Sequence, residues 1–239
     1  MPGGTHAVRE PWRNLYAQLI RATGWPELAR RFAHLPAIAR LAAKPLGIVD
    51  KMIASGLNAP PASSCGRLFD AVAAALDICP ERQSYEGEAA MRLEAIVDAT
   101  IFESDSGYRF GACDEARAQP SHEREIEGPV VLDPRTIWEP LLSDLAAAVP
   151  APVVAARFHR GLAEGIAEIA ANLAESRPFD TIALSGGCFQ NAVLFGDVSR
   201  LLRAQGFAVL SHAAVPANDG GLAFGQAAVA AARLIEGEI

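Results

Sequence analysis

Between residues 153 and 176 apolar residues return every third or fourth position, a spacing that predicts one long amphipathic helix. It feeds into Asp180-Thr-Ile-Ala-Leu184, whose short apolar run reads as a buried strand. The pattern then predicts a helix near 190–204, a strand in FAVLSH, a loop PANDGG and a terminal helix from about Leu222 to Ile235. Helix, strand, helix, strand, helix is the alternation of an α/β fold with parallel strands.

Upstream the spacing is mostly helical. Helices are predicted around Leu15, Leu19 and Ile20, over FAHLPAIARLAAK, and after a Pro- and Ser-rich loop, where Leu68, Val72 and Leu76 share a face. A further helix follows Tyr85-Glu86-Gly87, with Met91, Leu93, Ile96 and Val97 toward the core. Residues 100–131 are mixed: TIFES, YRF and VVL read as short strands around an exposed polar excursion. Asp133-Pro134 has the composition of a helix start, a capping carboxylate followed by proline at the first helical position, and Pro140 marks a place for a kink. The partition read from this pattern is a helical inter-lobe part over 1–98, short strands and the excursion over 99–135, and a core α/β lobe over 136–239.

Composition narrows the function classes. The chain has 239 residues, 51% hydrophobic and 21% charged, enough to bury a sizeable core. No apolar run reaches the roughly 18 to 20 residues a membrane span needs, and no basic-then-apolar leader opens the chain, so a cytoplasmic location without membrane contact is expected. The cysteines Cys65, Cys79, Cys113 and Cys188 are scattered, which argues for reduced thiols over a zinc knuckle or disulfide scaffold. A formal charge of -7 gives no footprint for nucleic acid.

Four glycine-containing junctions lead into helices. Ser185-Gly186-Gly187 follows a strand, where backbone amides and a helix dipole form the usual ligand crevice of an α/β sheet. Two glycines there allow a flat ring to lie on the main chain, with Asn191 offering a donor and an acceptor; a tight turn with no ligand fits equally well. Asp219, in the loop before the last helix, fits a capping role or a metal-ligand role, and position alone favours capping. Ser63, Ser64, Gly66, Arg67 and Asp70 form a set suited to phosphate or ribose, although Asp70 also reads as an ordinary solvated helix residue. Tyr85-Glu86-Gly87-Glu88 is the fourth junction.

The remaining candidates read as structural. His159 fits a hydrogen-bonded packing residue, and His6, His34, His122 and His212 stand isolated in the sequence. Cys188 reads as a small buried residue, there being no histidine beside it to activate a thiol. Neither a G-x-S-x-G elbow nor a P-loop occurs.

Taken in order, SSCGRLFDAVAAAL, SYEGEAAMRLEA, ARFHRGLAEGI, LSGGCFQNAVL and VPANDGGLAFGQAAVAA closely resemble the C-terminal part of hydrogenase-maturation carbamoyltransferases of the HypF type, and PGGTHAVREPWR resembles the segment after the first lobe of their last domain. The resemblance runs from about Pro2 to Ile239, with tRNA threonylcarbamoyltransferases as more distant relatives. It implies an α/β lobe of the actin-like ATPase fold, that of sugar kinases, Hsp70 and actin. It also implies an activity: carbamoyl phosphate and ATP give a carbamoyl-adenylate, and the carbamoyl group passes to the C-terminal cysteine of a HypE-like partner on the way to the cyanide ligands of [NiFe]-hydrogenase. Carried over by position, it implies that Gly186, Gly187 and Asn191 meet the adenosine and that Asp70 and Gly87 reach the ribose. Ser185, Gly66 and Glu86 lie beside them at the same junctions, and Asp219 becomes a ligand of a divalent metal ion. The partner supplies the thiol, so no nucleophile is assigned to this chain.

Full-length members also carry an adenylate-forming domain and a first lobe with a histidine cluster and a D-G-T-G phosphate loop, none of which is found in this sequence. The implied function is therefore that of a second lobe completed by those parts in the same or another polypeptide. Two alternatives stand beside it, a non-catalytic interaction module and a branch acting on a small molecule.

Overall fold

The computed structural model describes residues 1–102, 106–114 and 130–236. Contacts divide it into two units, Met1–Ile169 and Ala170–Ile239.

The first unit holds helices α1 (Thr5–Arg9), α2 (Pro11–Ala22), α3 (Trp25–Arg31), α4 (Pro36–Ala42), α5 (Leu46–Ser55), α6 (Cys65–Ala75), α7 (Glu88–Ala95) and α8 (Ala99–Phe102). A hairpin of strands β1 (Gly111–Asp114) and β2 (Val130–Asp133) follows, then α9 (Trp138–Ala146) and most of the long α10 (Ala151–Ser176). Proline at the first turn of α2, α3 and α4 starts each of these helices with φ already set and no N–H to leave unpaired.

Helix α6 is the centre of this unit. Ser64 caps it, its hydroxyl accepting from the Arg67 backbone N–H at 3.4 Å. Every residue from Leu68 to Ala75 is buried, and the alanines at 71 and 73–75 let neighbours approach closely. Trp12, Leu15, Tyr16 and Leu19 of α2 are also buried, and Phe69 meets Phe158 of α10 edge to face at 5.0 Å. The single apolar face expected at Leu68, Val72 and Leu76 is thus too narrow a description: α6 is sheathed all round, and Leu76 is only its half-buried C-cap.

Three other expectations change. Leu93 is buried as expected, together with Ala89 four residues before it, but Met91 is 58% exposed, because a residue two positions from Leu93 lies on the opposite face of α7. In TIFES, Thr100 to Phe102 belong to α8 and form no strand. Tyr108-Arg-Phe110 leads up to β1 rather than forming a strand, with Tyr108 and Phe110 buried, while VVL does lie in β2. β1 and β2 are antiparallel, pairing Gly111 with Asp133. Asp133 caps a 3-10 turn, Pro134–Ile137, that passes into α9. Pro140 falls in the first turn of α9, where its missing N–H costs nothing. The polar excursion lies outside the described residues.

The second unit is a βαβ arrangement. Strand β3 (Thr181–Leu184) is followed by α11 (Ala192–Ala204), then β4 (Ala208–Ser211) and α12 (Leu222–Glu236). β3 and β4 are parallel, in register from Thr181↔Ala208 to Leu184↔Ser211. Phe179 and Phe207 stack at 5.6 Å just before the two strands. Long α10, the parallel strands and the terminal helix form where the hydrophobic pattern predicts them, but β3 is not the buried strand expected: only Leu184, at its end, is buried, because no further layer of this unit's described residues covers the rest.

Candidate functional site

The C-terminal ends of β3 and β4 open onto a cleft of about 670 Å³ within the second unit. That size falls within the range of small-molecule sites. Ser185, Gly186, His212, Asn218 and Asp219 line one side of it, and Leu222, Gly225, Val229 and Arg233 of α12 line the other. The fold builds this edge from short, specific contacts. Gly186 takes φ +103 and ψ 155, a region open almost only to glycine, and its N–H donates to Ala217 O at 2.8 Å. The chain then makes a 3-10 turn, Gly187–Gln190, before α11. Asn218 Oδ1 accepts from Gly220 N–H at 3.0 Å and so shapes the turn into α12.

The two glycines are there for different reasons. At Gly186 the backbone conformation itself demands glycine. At Gly187 φ is ordinary, and a Cβ would find only Asn218 Cβ, at 3.9 Å. Nothing in the fold excludes a side chain from position 187. What remains is the open main chain beside the cleft, the feature a flat ligand requires.

Asn191 is 9% exposed, and its Oδ1 caps α11 by accepting from Leu194 N–H at 2.8 Å. The acceptor expected for a ligand is therefore already used by the helix. Asp219 does not cap the turn before α12; Asn218 does. Among the described residues no group of three or more His, Cys, Asp or Glu side chains is arranged to hold a metal ion, so Asp219 does not make a metal centre with its described neighbours. Cys188 is half-buried, and among the described residues Cys65, Cys79 and Cys188 form no disulfide. Burial pushes the Cys79 thiol up from its ordinary value.

His212, isolated in the sequence, has a partner in the fold. Its Nε2 lies 2.8 Å from Ser185 Oγ. The two residues are far apart in the chain, and only the parallel register of β3 and β4 brings them together.

In the first unit, α6 and α7 bring the other candidates together. Asp70 is completely buried, which corrects the picture of a solvated helix residue. Arg67 Nη1 lies 2.9 Å from its Oδ2, and Gln83 Nε2 donates to the same oxygen at 3.5 Å. Burial pushes the carboxyl up to about 6, against the opposing pull of Arg67 and Gln83. Its Oδ1 has no hydrogen-bond partner among the described residues. Arg67 also reaches the exposed Glu86, Nη2 to Oε1 at 3.4 Å. Gly87, at φ +87, starts α7 and has open space around its missing Cβ. Gly66 lies in the first turn of α6. Gln83 had no sequence signal at all, yet it is 2% exposed and its Oε1 accepts from Ala89 N–H at 3.0 Å, tying the loop to α7. His159 is the buried packing residue expected, with Nδ1 2.8 Å from Ala155 O and its ring edge-on to Phe69.

A family profile described as "Carbamoyltransferase, Kae1-like Domain, second subdomain" matches residues 1–226. The chain belongs to this family. Carbamoyltransferase HypF of Rhodobacter capsulatus is 42% identical over 232 residues, 97% of this chain and 27% of the relative. A Carbamoyltransferase HypF homolog of Cupriavidus necator is 37% identical over 97% of this chain and 55% of its own length. The chain thus spans only part of the curated relatives it matches. Among solved structures, full-length HypF in a phosphate- and nucleotide-bound form matches with a TM-score of 0.79 and 27% identity, over 96% of this chain and 27% of that one. HypF of T. kodakarensis matches at 0.74 and 25% identity, over 99% and 29%. The helix-rich α/β class of an actin-like lobe is the one the Kae1-like family and these structures share with this chain. Among the described residues no helix is long and apolar enough to cross a membrane.

Proposed function

We propose that this chain is the nucleotide-holding second subdomain of a carbamoyltransferase of hydrogenase maturation, and that its cleft at β3 and β4 takes the adenosine of ATP or of a carbamoyl-adenylate made from it. The single observation that carries this reading is Gly187: glycine without a conformational or packing reason, directly after Gly186, which lines an open cleft at the carboxyl end of a parallel strand. Membership of the Kae1-like family, and a nucleotide-bound full-length HypF of the same fold, support it.

In this reading Ser185, Gly186 and Gly187 form the shelf for the adenosine. Asn191 holds the start of α11 in place behind it. Within the first unit, buried Asp70 fixes Arg67, which reaches Glu86 beside Gly87. The chemistry is acyl-type transfer, which needs an electrophile held at one angle and shielded from water while a thiolate approaches. The thiolate comes from a HypE-like partner. A first lobe and an adenylate-forming domain, in the same or another chain, complete the enzyme, and the metal reading of Asp219 requires further ligands from those parts.

Calorimetric titration of the chain with ATP and with a non-hydrolysable adenylate tests the assignment. Saturable binding that Gly187→Val abolishes is the expected result. Binding by Gly187→Val equal to that of the unaltered chain overturns it.

A further inference from the structure

The parallel ladder of β3 and β4 ends with Leu184 opposite Ser211, so Ser185 and His212 form the next cross-strand pair, just past the last paired residues and on the lip of the cleft. Both side chains are exposed, and their 2.8 Å contact seals no core. A hydrogen bond between two exposed groups adds little to fold stability, since water competes for both partners. The pair has a local consequence instead. A serine hydroxyl by itself turns among three staggered positions. Bonded to an imidazole nitrogen, it has one.

We infer that His212 is a positioning residue for ligand binding: its imidazole fixes the Ser185 hydroxyl, so that the pair offers one ordered hydroxyl to a polar group of the nucleoside lying across the ends of β3 and β4. The inference rests on the nucleotide reading of the cleft. Either tautomer serves. With Nε2 as acceptor, the Ser185 O–H donates to it and the oxygen lone pairs face a ribose hydroxyl or the adenine amine; with Nε2–H as donor, the Ser185 O–H turns to a ligand acceptor. Gly186 and Asp219 line the same lip, which places the ordered hydroxyl beside the open backbone rather than on an unrelated surface.

The test uses the full chain and adenosine monophosphate, followed by calorimetry. Ser185→Ala and His212→Phe each weaken binding about fivefold, the worth of one ordinary hydrogen bond. The double variant is no weaker than the worse single one, and His212→Gln, which restores a polar atom at similar reach, recovers most of the loss. Additive effects, a silent His212→Phe or no rescue by His212→Gln would overturn the inference. A second readout needs no ligand: the imidazole ¹⁵N shifts of His212 change in Ser185→Ala, and unchanged shifts overturn it as well. If Gly187→Val abolishes binding while the His212 and Ser185 variants bind normally, only the pair fails. If the unaltered chain does not bind the nucleotide, the pair and the nucleotide reading fail together.

Discussion

The Asp70 carboxylate lies 2.9 Å from the Arg67 guanidinium at a point with no solvent exposure, one turn into the helix at the centre of the first unit. Its pKa is nevertheless raised, to about 6, because desolvation outweighs the pairing. The folded state therefore favours the protonated acid. The stability this gives is fully present below the ordinary aspartate value of 3.8 and is lost as pH rises through about 6. Asp70→Asn removes that dependence. Denaturant unfolding should show the variant gaining about 2 kcal/mol relative to the unaltered chain between pH 4 and pH 7.

His159 has the opposite sign in nearly the same window. Burial lowers its pKa from 6.5 to about 4, so the folded state prefers the neutral ring, and stability is lost as pH falls from 6.5 through 4. The two contributions largely cancel in the unaltered chain, although Phe69, in edge contact with His159, directly precedes Asp70 in α6. Asp70→Asn should unmask the loss: the variant should be less stable at pH 4 than at pH 7 by about 3 kcal/mol from His159 alone. NMR titration should find the His159 ring mostly neutral above pH 5.

Segment 106–110 runs so close to α10 that a Cβ on Gly161 would fall 2.0 Å from Tyr108 O. Tyr108 N–H donates to Arg157 O at 3.0 Å, and its hydroxyl donates to Asp144 at 2.6 Å. Gly161→Ala must push this segment off the helix. A loss of about 1–3 kcal/mol is expected, measured as a lower denaturation midpoint. Tyr108→Phe should cost about 1 kcal/mol by removing the Asp144 bond alone.

The two glycines of the shelf separate fold from ligand. Gly186→Ala forces a side chain into φ +103 with nothing crowding it, so the cost is conformational, about 1–3 kcal/mol of stability. Gly187→Ala has no such conflict and should shift stability by less than about 0.5 kcal/mol. Its effect should fall on nucleotide affinity. Thermal melts and nucleotide titrations of the same two variants distinguish the roles.

Legibility in the sequence followed the physics of each element. β3, α11, β4 and α12 were readable because short apolar strands alternate with helices and are punctuated by glycine, and α10 because its stripe is long. Met91 misled because it is apolar, although it stands two residues from Leu93 and helical geometry puts the two on opposite faces. α6 misled because eight consecutive buried residues leave no polar face for the pattern to reveal. Asp70 looked like a surface residue because charge is usually solvated; its burial depends on Arg67 in the preceding turn and on Gln83 from a loop. His212 could not be found at all by scanning for local companions, since Ser185 reaches it only through strand register. The open backbone at Gly186 and Gly187 was legible as a position, but only the φ values and the space around each Cβ showed that one glycine serves the turn and the other does not.

The central claim is that an adenine nucleotide lies against the main chain at the end of β3. Amide chemical-shift mapping of the ¹⁵N-labelled chain during titration with adenosine monophosphate tests it most directly. The account predicts saturable shifts at Ser185, Gly186 and Gly187, extending to His212 and to Gly225 across the cleft. Saturable shifts that leave Ser185 to Gly187 unmoved would contradict it.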